Sequence, residues 1–440
     1  MTIQVVNLSP ASLDDQRHAL EEVRDFATTD MDRGGPGRWT YRVLREPALT
    51  QELKRLSSPK SWRSGVDAVT FQPCQSYQSR SQDRYAVEEW PMPGGTWVFS
   101  GVFDGHMNGD TSELAARKLP SHLRQALESR IRTAGPRALA PDAISEVLAQ
   151  TITQFDDLII SHFLNVLPES FRANLPNVNP NHIRQLINDK SRGGHCYLRT
   201  AQAMGGTTAL ITLTDPRKEN LWVANLGDCQ AVLGSRDSAG RWSASLINSL
   251  HNGSNPQEAR RIRSEHPGEP DCVRCERVAG FLAPTRALGD AWLKLPAPYT
   301  YKVFHNIEAD WISRHDISAC VPRLLTPPYV SSQPDVFHRR LRQSSGYSGP
   351  VDAFVILCSD GLQDMYDGLS EQKMADEWVN VVGRDIDASL RNQCARSNLA
   401  MGLLRDGLGG DDTQLVSRNL TVEMEERWVD DTTIIVQRFL

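Results

Sequence analysis

The chain has 440 residues, 40% hydrophobic and 23% charged, enough length and apolar content to bury a globular core in one large domain or several smaller ones. With 48 Lys and Arg against 54 Asp and Glu its net charge is −6, which excludes a general attraction for nucleic acid or an anionic membrane surface. No apolar run approaches the roughly 20 residues of a membrane-spanning helix.

Residues 1–65 read as a partly helical N-terminal extension, with helices near 11–27 and 48–57 kept apart by Gly34, Gly35, Pro36 and Gly37. This start has no basic stretch leading into an apolar run and carries several acids, so neither a secretory signal nor a transit peptide is expected. The eight Cys are too sparse for a disulfide scaffold and read as reduced thiols, which points to a cytoplasmic location. Cys272 and Cys275, a lone CxxC pair, read as loop or core residues. The run at 97–103 (WVFSGVF) reads as a buried strand, followed by helices near 109–132 and 142–164. Residues 165–205, rich in Asn, Pro and Arg without periodicity, read as an inserted loop. Short β-branched or apolar runs at 207–213, 221–225 and 230–234 read as antiparallel strands, and 256–266 as a helix. The Pro-rich 296–350 reads as a second insertion, with the Arg-rich 338–342 a solvated strand face. A buried strand at 353–358, helices near 370–382 and 386–405 and a β-rich run at 432–439 close the chain. Strands in hairpin-like succession with helices grouped between them predict an α+β fold built on antiparallel sheets.

The placement of aspartates carries the functional signal. WVFSGVF runs into Asp104, Gly105 and His106; LWVAN runs into Leu226, Gly227 and Asp228; AFVILC runs into Ser359, Asp360 and Gly361, with Asp364 just beyond; Asp430 and Asp431 stand directly before TTIIVQRF. A lone carboxylate against an apolar strand is costly, and two of them ~4 Å apart repel by about 4 kcal/mol at an effective dielectric of 20. Divalent cations remove that repulsion. All-oxygen ligands with no His or Cys cluster favour Mg²⁺ or Mn²⁺ over zinc. Glycine after an acid lets the backbone turn sharply and approach an ion. A single Asp-Gly is a turn signal; four strand-linked acids in one chain are more than that. Asp411 and Asp412 follow Gly409 and Gly410 and read as a solvated loop; Asp290 and Arg286 read as structural.

The ordered blocks SQDRY (81–85), GVFDGH (101–106), GGTTALITL (205–213), ANLGDCQAVLG (224–234), APTRALGD (283–290), LCSDGLQD (357–364) and DDTTIIV (430–436) resemble the metal-dependent protein phosphatase, or protein phosphatase 2C, family. Other stretches are similar to its pyruvate dehydrogenase phosphatase branch, which makes the mitochondrial matrix the alternative location. The resemblance implies a four-layer αββα sandwich over residues 66–440, with insertions near 165–205 and 296–350. It implies a serine/threonine phosphatase that acts on phosphoproteins through a metal-bridging hydroxide. In that pattern Asp104 bridges two ions, the Gly105 carbonyl ligates one, and Asp360 and Asp430 hold the other. Asp83 belongs to the metal set, Asp228 and Asp364 join Asp360 around a third, weaker ion, and His106 is the general acid. Two positions depart from the family. Gln82 stands where the first block usually has an acid, so one ion loses a ligand charge. Gln78 stands where some members have a phosphate-binding Arg, which leaves Arg80 and Arg84 as candidates. These departures define the rival expectation, a catalytically weak or inactive phosphatase fold that serves as a binding scaffold.

Overall fold

In the computed structural model, residues 24–35, 37, 39–74, 81–135, 139–237, 239–309, 311, 317–341, 353–392 and 397–439 are described; Arg80 and most of the helix expected over 11–27 lie outside them. Two antiparallel sheets carry the fold. One orders five strands as Asp335–Arg340, Asn220–Leu226, Ala209–Thr214, Gly95–Phe103 and Arg84–Met92. The other orders six as Trp242–Leu246, Gln230–Arg236, Ala353–Cys358, Thr432–Arg438, Val66–Phe71 and Lys60–Ser61. The strands Ala209–Thr214, Ala353–Cys358 and Thr432–Arg438 are buried at every residue, because both of their faces are covered.

Successive side chains of a strand point to opposite faces, and here each face has its own core. Between the sheets lie Val66, Ala68, Val102, Leu210, Val223, Val355, Leu357 and Ile435. On the outside of the five-stranded sheet, Phe99, Ile211 and Trp222 pack with Leu119, Leu123 and Ile152 of the helices Asp110–Ala134 and Pro141–Leu164. On the outside of the other sheet, Phe71, Phe354 and Ile434 pack with Trp378, Leu403 and Val416 of the helices Glu371–Asn392, Leu399–Gly407 and Thr413–Thr421. The result is an α+β sandwich of four layers, helix–sheet–sheet–helix.

Three segments differ from the sequence-based expectation. Residues 165–205 are helical, not a loop: Glu169–Ala173, Pro180–Ile187 and His195–Met204. Their Asn and Asp act as caps, since Asn179 accepts the Asn181 N–H and Asp189 accepts the N–H groups of Cys196 and Tyr197. Ile183 and Ile187, one turn apart, are the buried face. The helix near 370–382 runs on to Asn392 because Val382 and Ile386 keep the buried stripe going, and a new helix starts at Leu399 under the cap of Asn398. Asp411 and Asp412 lie in an exposed loop as expected, and Asp412 also caps Thr413–Thr421, accepting the N–H groups of Gln414 and Leu415. Phe26–Thr29, at the end of the first expected helix, is a strand paired with Trp39–Arg42. After it, Ala48–Ser57 is the expected helix, and its Leu49 and Leu53 are buried in the core of the six-stranded sheet. Within 296–350, Asp335–Arg340 forms the edge strand beside Asn220–Leu226.

Candidate metal centre

Strand register brings the acidic blocks to one end of the sandwich. Arg84 pairs with Phe103, so Asp83 and Asp104 are neighbours where those two strands meet. Cys358 pairs with Ile434 and with Gln230, which draws the ends that carry Asp360, Asp430 and Asp228 together. Hydrogen bonds then lock the blocks to each other. The Ser359 hydroxyl donates to Asp83 Oδ2 at 2.7 Å and accepts the Thr433 N–H at 2.8 Å. The Gln82 N–H donates to Asp431 Oδ2 at 2.6 Å, and Gln72 Nε2 donates to its other oxygen at 3.0 Å. Gln363 Nε2 donates to the Asp228 carbonyl at 3.2 Å. The Asp104 N–H donates to Thr208 Oγ1, and the Thr208 N–H returns a bond to the Asp104 carbonyl.

Two glycines are needed for this approach. A Cβ on Gly105 would lie 2.6 Å from the Gln82 carbonyl oxygen and 2.7 Å from Ser112 Oγ; one on Gly361 would overlap the Asp431 carbonyl. The glycine after the acid is therefore what allows one block to sit against the next.

The acids are crowded and short of positive charge. Burial, and then the charge of Asp431, pushes Asp83 up to about 8. Burial with the Asp360 charge lifts Asp104 well above the carboxylate range, and burial with Asp228 and Asp430 does the same to Asp360. Burial pushes Asp228 up to about 6. Asp364 and Asp430, exposed at the rim, are raised in the same direction, first by desolvation and next by Asp430 and, for Asp430, by the neighbouring Asp431, against the pull of Arg427. Arg427 reaches Asp431 at 3.3 Å and Asp430 at 3.7 Å.

This donor set suits a hard cation. It is all oxygen, Asp83 Oδ1 is buried with no hydrogen-bond partner, and the charges of Asp360, Asp83, Asp228 and Asp430 all push Asp104 upward. Among the described residues no group of three or more Asp, Glu, His or Cys side chains is arranged so that it could hold a metal ion.

His106 stands beside them, its side chain 19% exposed, with Nε2 2.8 Å from Oδ2 of the fully buried Asp290. Burial works against its charged form, but the Asp290 carboxylate outweighs that, and its pKa lies above the ordinary imidazole value. Arg84 spends Nε on Glu113 and Nη1 on the carbonyls of Ser81 and Asp83, so it braces the SQDRY turn and keeps Nη2 for any other contact. Sequence reasoning missed the partners that hold the acids. Ser359 meets Asp83 across 276 residues, and no local signal marks such a contact. For Asp290 the signal was present, an acid closing the RALGD block, but its partner was not legible.

The model of the family described as Protein phosphatase 2C matches residues 67–398. A protein phosphatase 2C homolog of Schizosaccharomyces pombe is 28% identical over 411 residues, 88% of this chain and 84% of that one. The mitochondrial pyruvate dehydrogenase phosphatase 1 of Bos taurus is 30% identical over 274 residues, 55% of this chain and 49% of that one; the chain thus spans about half the length of that relative. The crystal structure of a serine-threonine phosphatase 2C from Toxoplasma gondii aligns at a TM-score of 0.48 and 18% identity, covering 88% of this chain and 98% of that one.

Proposed function

The chain belongs to the protein phosphatase 2C family, whose chemistry is the metal-dependent hydrolysis of phosphoserine and phosphothreonine in proteins, and we propose that its acidic pocket performs that reaction with two Mg²⁺ or Mn²⁺ ions and a third held more weakly. One observation carries this reading: the charges of Asp360, Asp83, Asp228 and Asp430, each from a different block, all push buried Asp104 upward. Asp104 and the Gly105 carbonyl would hold the pair of ions together with Asp83, Asp360 and Asp430; Asp228 and Asp364 would serve the third. Bound there, such ions supply an activated water and neutralise the charge of the phosphoryl group.

The chain's own residues do the rest. His106 donates a proton to the departing serine or threonine oxygen, a poor leaving group without one. Arg80 or the Nη2 end of Arg84 meets the phosphate. The Ser359, Asp431 and Gln72 bonds keep the carboxylates fixed, so little reorganisation accompanies the reaction. Residues 66–440 form the catalytic unit, with 165–205 and 296–350 as additions to it. The names of the mammalian relatives favour the mitochondrial matrix over the cytoplasm as its location. No helix of the described residues is long and apolar enough to cross a membrane.

The test is hydrolysis of a phosphoserine peptide and of 4-nitrophenyl phosphate with Mn²⁺, and again with EDTA. Metal-dependent turnover of both is expected. A folded protein with no turnover under any metal would instead establish the scaffold reading.

A further inference from the structure

We propose that Asp290 is a positioning residue for the reaction: it fixes the ring of His106 so that Nε2–H is committed to Asp290 and Nδ1 is the atom that faces the leaving group. This rests on the reading of His106 as proton donor.

A small ribbon creates the pair. Gly105–His106 pairs with Gly206–Thr207, which pairs in turn with Leu288–Gly289. In that register His106 and Gly289 lie on either side of Gly206, and Asp290 follows Gly289. A Cβ on Gly206 would overlap both Asp290 Oδ2 and His106 Nε2. The middle strand therefore needs glycine for a reason unrelated to its own backbone: the two side chains meet over it.

Asp290 is placed with care. Its backbone is in the left-handed region at φ 48, unusual for a residue with a side chain. Its N–H donates to the Gly205 carbonyl at 2.9 Å, and Trp292 Nε1 donates to its Oδ1 at 3.3 Å. The segment on either side is anchored by a second buried pair. Asp156 accepts the Gly289 N–H at 2.7 Å and Lys294 Nζ at 2.7 Å, and Lys294 also donates to the Ala287 carbonyl. The bond to Asp290 occupies Nε2 of His106 and leaves Nδ1 without a hydrogen-bond partner among the described residues. A carboxylate on one ring nitrogen sets which tautomer presents the other.

The step balances as follows. The water oxygen bonds to phosphorus and its proton passes to solvent. The ester P–O bond breaks, and the Nδ1 proton goes to the departing oxygen. His106 is left neutral with Nε2–H still on Asp290, and Nδ1 takes a new proton from solvent.

The experiment compares the wild type, Asp290→Asn, His106→Gln and the double variant, all loaded with Mn²⁺, on a phosphoserine peptide and on 4-nitrophenyl phosphate, whose leaving group needs little protonation. Asp290→Asn is expected to lower kcat on the peptide by about 10²-fold, with KM unchanged and a much smaller loss on the aryl ester. In the His106→Gln background it should cost nothing further. A second readout uses the metal-free wild type: ¹⁵N NMR at alkaline pH should find His106 as the Nε2–H tautomer, and the preference should vanish in Asp290→Asn. Equal losses on both substrates, additive losses in the double variant, or an Nδ1–H tautomer in the wild type would each overturn the proposal. If Asp290→Asn does not fold, the wild-type tautomer decides alone. Should His106→Gln itself show no difference between the substrates, the proton-donor reading falls; should it show one while Asp290→Asn does not, only the positioning role falls.

Discussion

Two clusters of acids in the molecule are treated in opposite ways. Behind the pocket, Glu258 of the helix Pro256–Glu265 accepts bonds from Arg286 at 2.7 and 3.0 Å, from Arg261 at 2.9 and 3.3 Å and from the Thr285 hydroxyl at 2.6 Å. Burial alone would raise its pKa, but these donors hold the carboxyl well below the usual range. Asp335 on the edge strand is bound by His251 and Arg286, each at 3.0 Å, and is lowered too. At the mouth, Asp83, Asp104 and Asp360 are driven upward, while Arg427 near the rim pairs with Asp430 and Asp431. Burial of a carboxylate is thus no mark of function in itself. What separates the two clusters is whether the chain supplies the counter-charge: Glu258 and Asp335 have theirs in arginine and histidine, and Asp83, Asp104 and Asp360 are left raised.

The comparison breaks most sharply at Asp104. Asp104→Asn removes a central charge of the unmatched cluster, and turnover should fall by at least about 10³-fold, corresponding to the several kcal/mol of charge stabilisation that bound metal contributes. Folding of the metal-free protein should be unharmed or improved, because an unpaired carboxylate has gone. Calorimetry with EDTA checks the second half; near-wild-type turnover would remove Asp104 from the site.

Glu258→Gln is the mirror experiment. It leaves Arg261 and Arg286 without their buried counter-charge, so stability should drop by about 3–5 kcal/mol, measured by urea unfolding. Activity per folded molecule should stay within a few-fold of wild type. A large loss of kcat in a stably folded variant would mean that this cluster also serves the chemistry.

The two clusters should differ in pH as well. Asp83 binds its proton more tightly folded, at about 8 against 3.8 in the unfolded chain, and Asp104 and Asp360 are raised in the same direction. Between those values the folded state holds more protons, so stability falls as pH rises. The melting temperature of the metal-free protein should drop by on the order of 5 °C between pH 5.5 and 8. Saturating Mg²⁺ should abolish the drop. A flat profile with EDTA would show that the carboxylates at the mouth are not in conflict. Glu258 has the opposite sign: its contribution is present above the unfolded carboxylate range and lost only in strong acid.

How far the sequence could be read follows from what is local. Strands such as 353–358 announce themselves by an unbroken buried run, and the strand-end acids Asp104, Asp228, Asp360 and Asp430 come with them, whereas the four layers and the place of Asp83 followed only from the resemblance to a family. Caps were misread as loops at 165–205, because Asn, Pro and Asp mark helix starts as often as irregular chain. Contacts between distant blocks were not legible. Asp290 meets His106 only because Gly206 lies between them, and the Asp83–Ser359 bond exists only once both sheets are assembled. The Arg286 side chain could be read as structural, but its two partners, 28 residues back and 49 residues ahead, could not be named.

The smallest effect should come at Asp364, where the contrast between the clusters is weakest. Its side chain is exposed at the rim, so water and salt already screen much of its charge. The push on its pKa comes chiefly from desolvation and then from Asp430. On the proposed reading, Asp364→Asn should therefore leave the two tightly held ions in place and disturb only the third. A kcat loss below about tenfold is expected, with a higher half-saturating Mg²⁺ concentration and little change in stability. Titrating Mg²⁺ against initial rate at low and at high salt separates the cases. If Asp364→Asn costs as much as Asp104→Asn, the rim belongs to the essential site, and the distinction between a buried, unmatched centre and a screened edge is wrong.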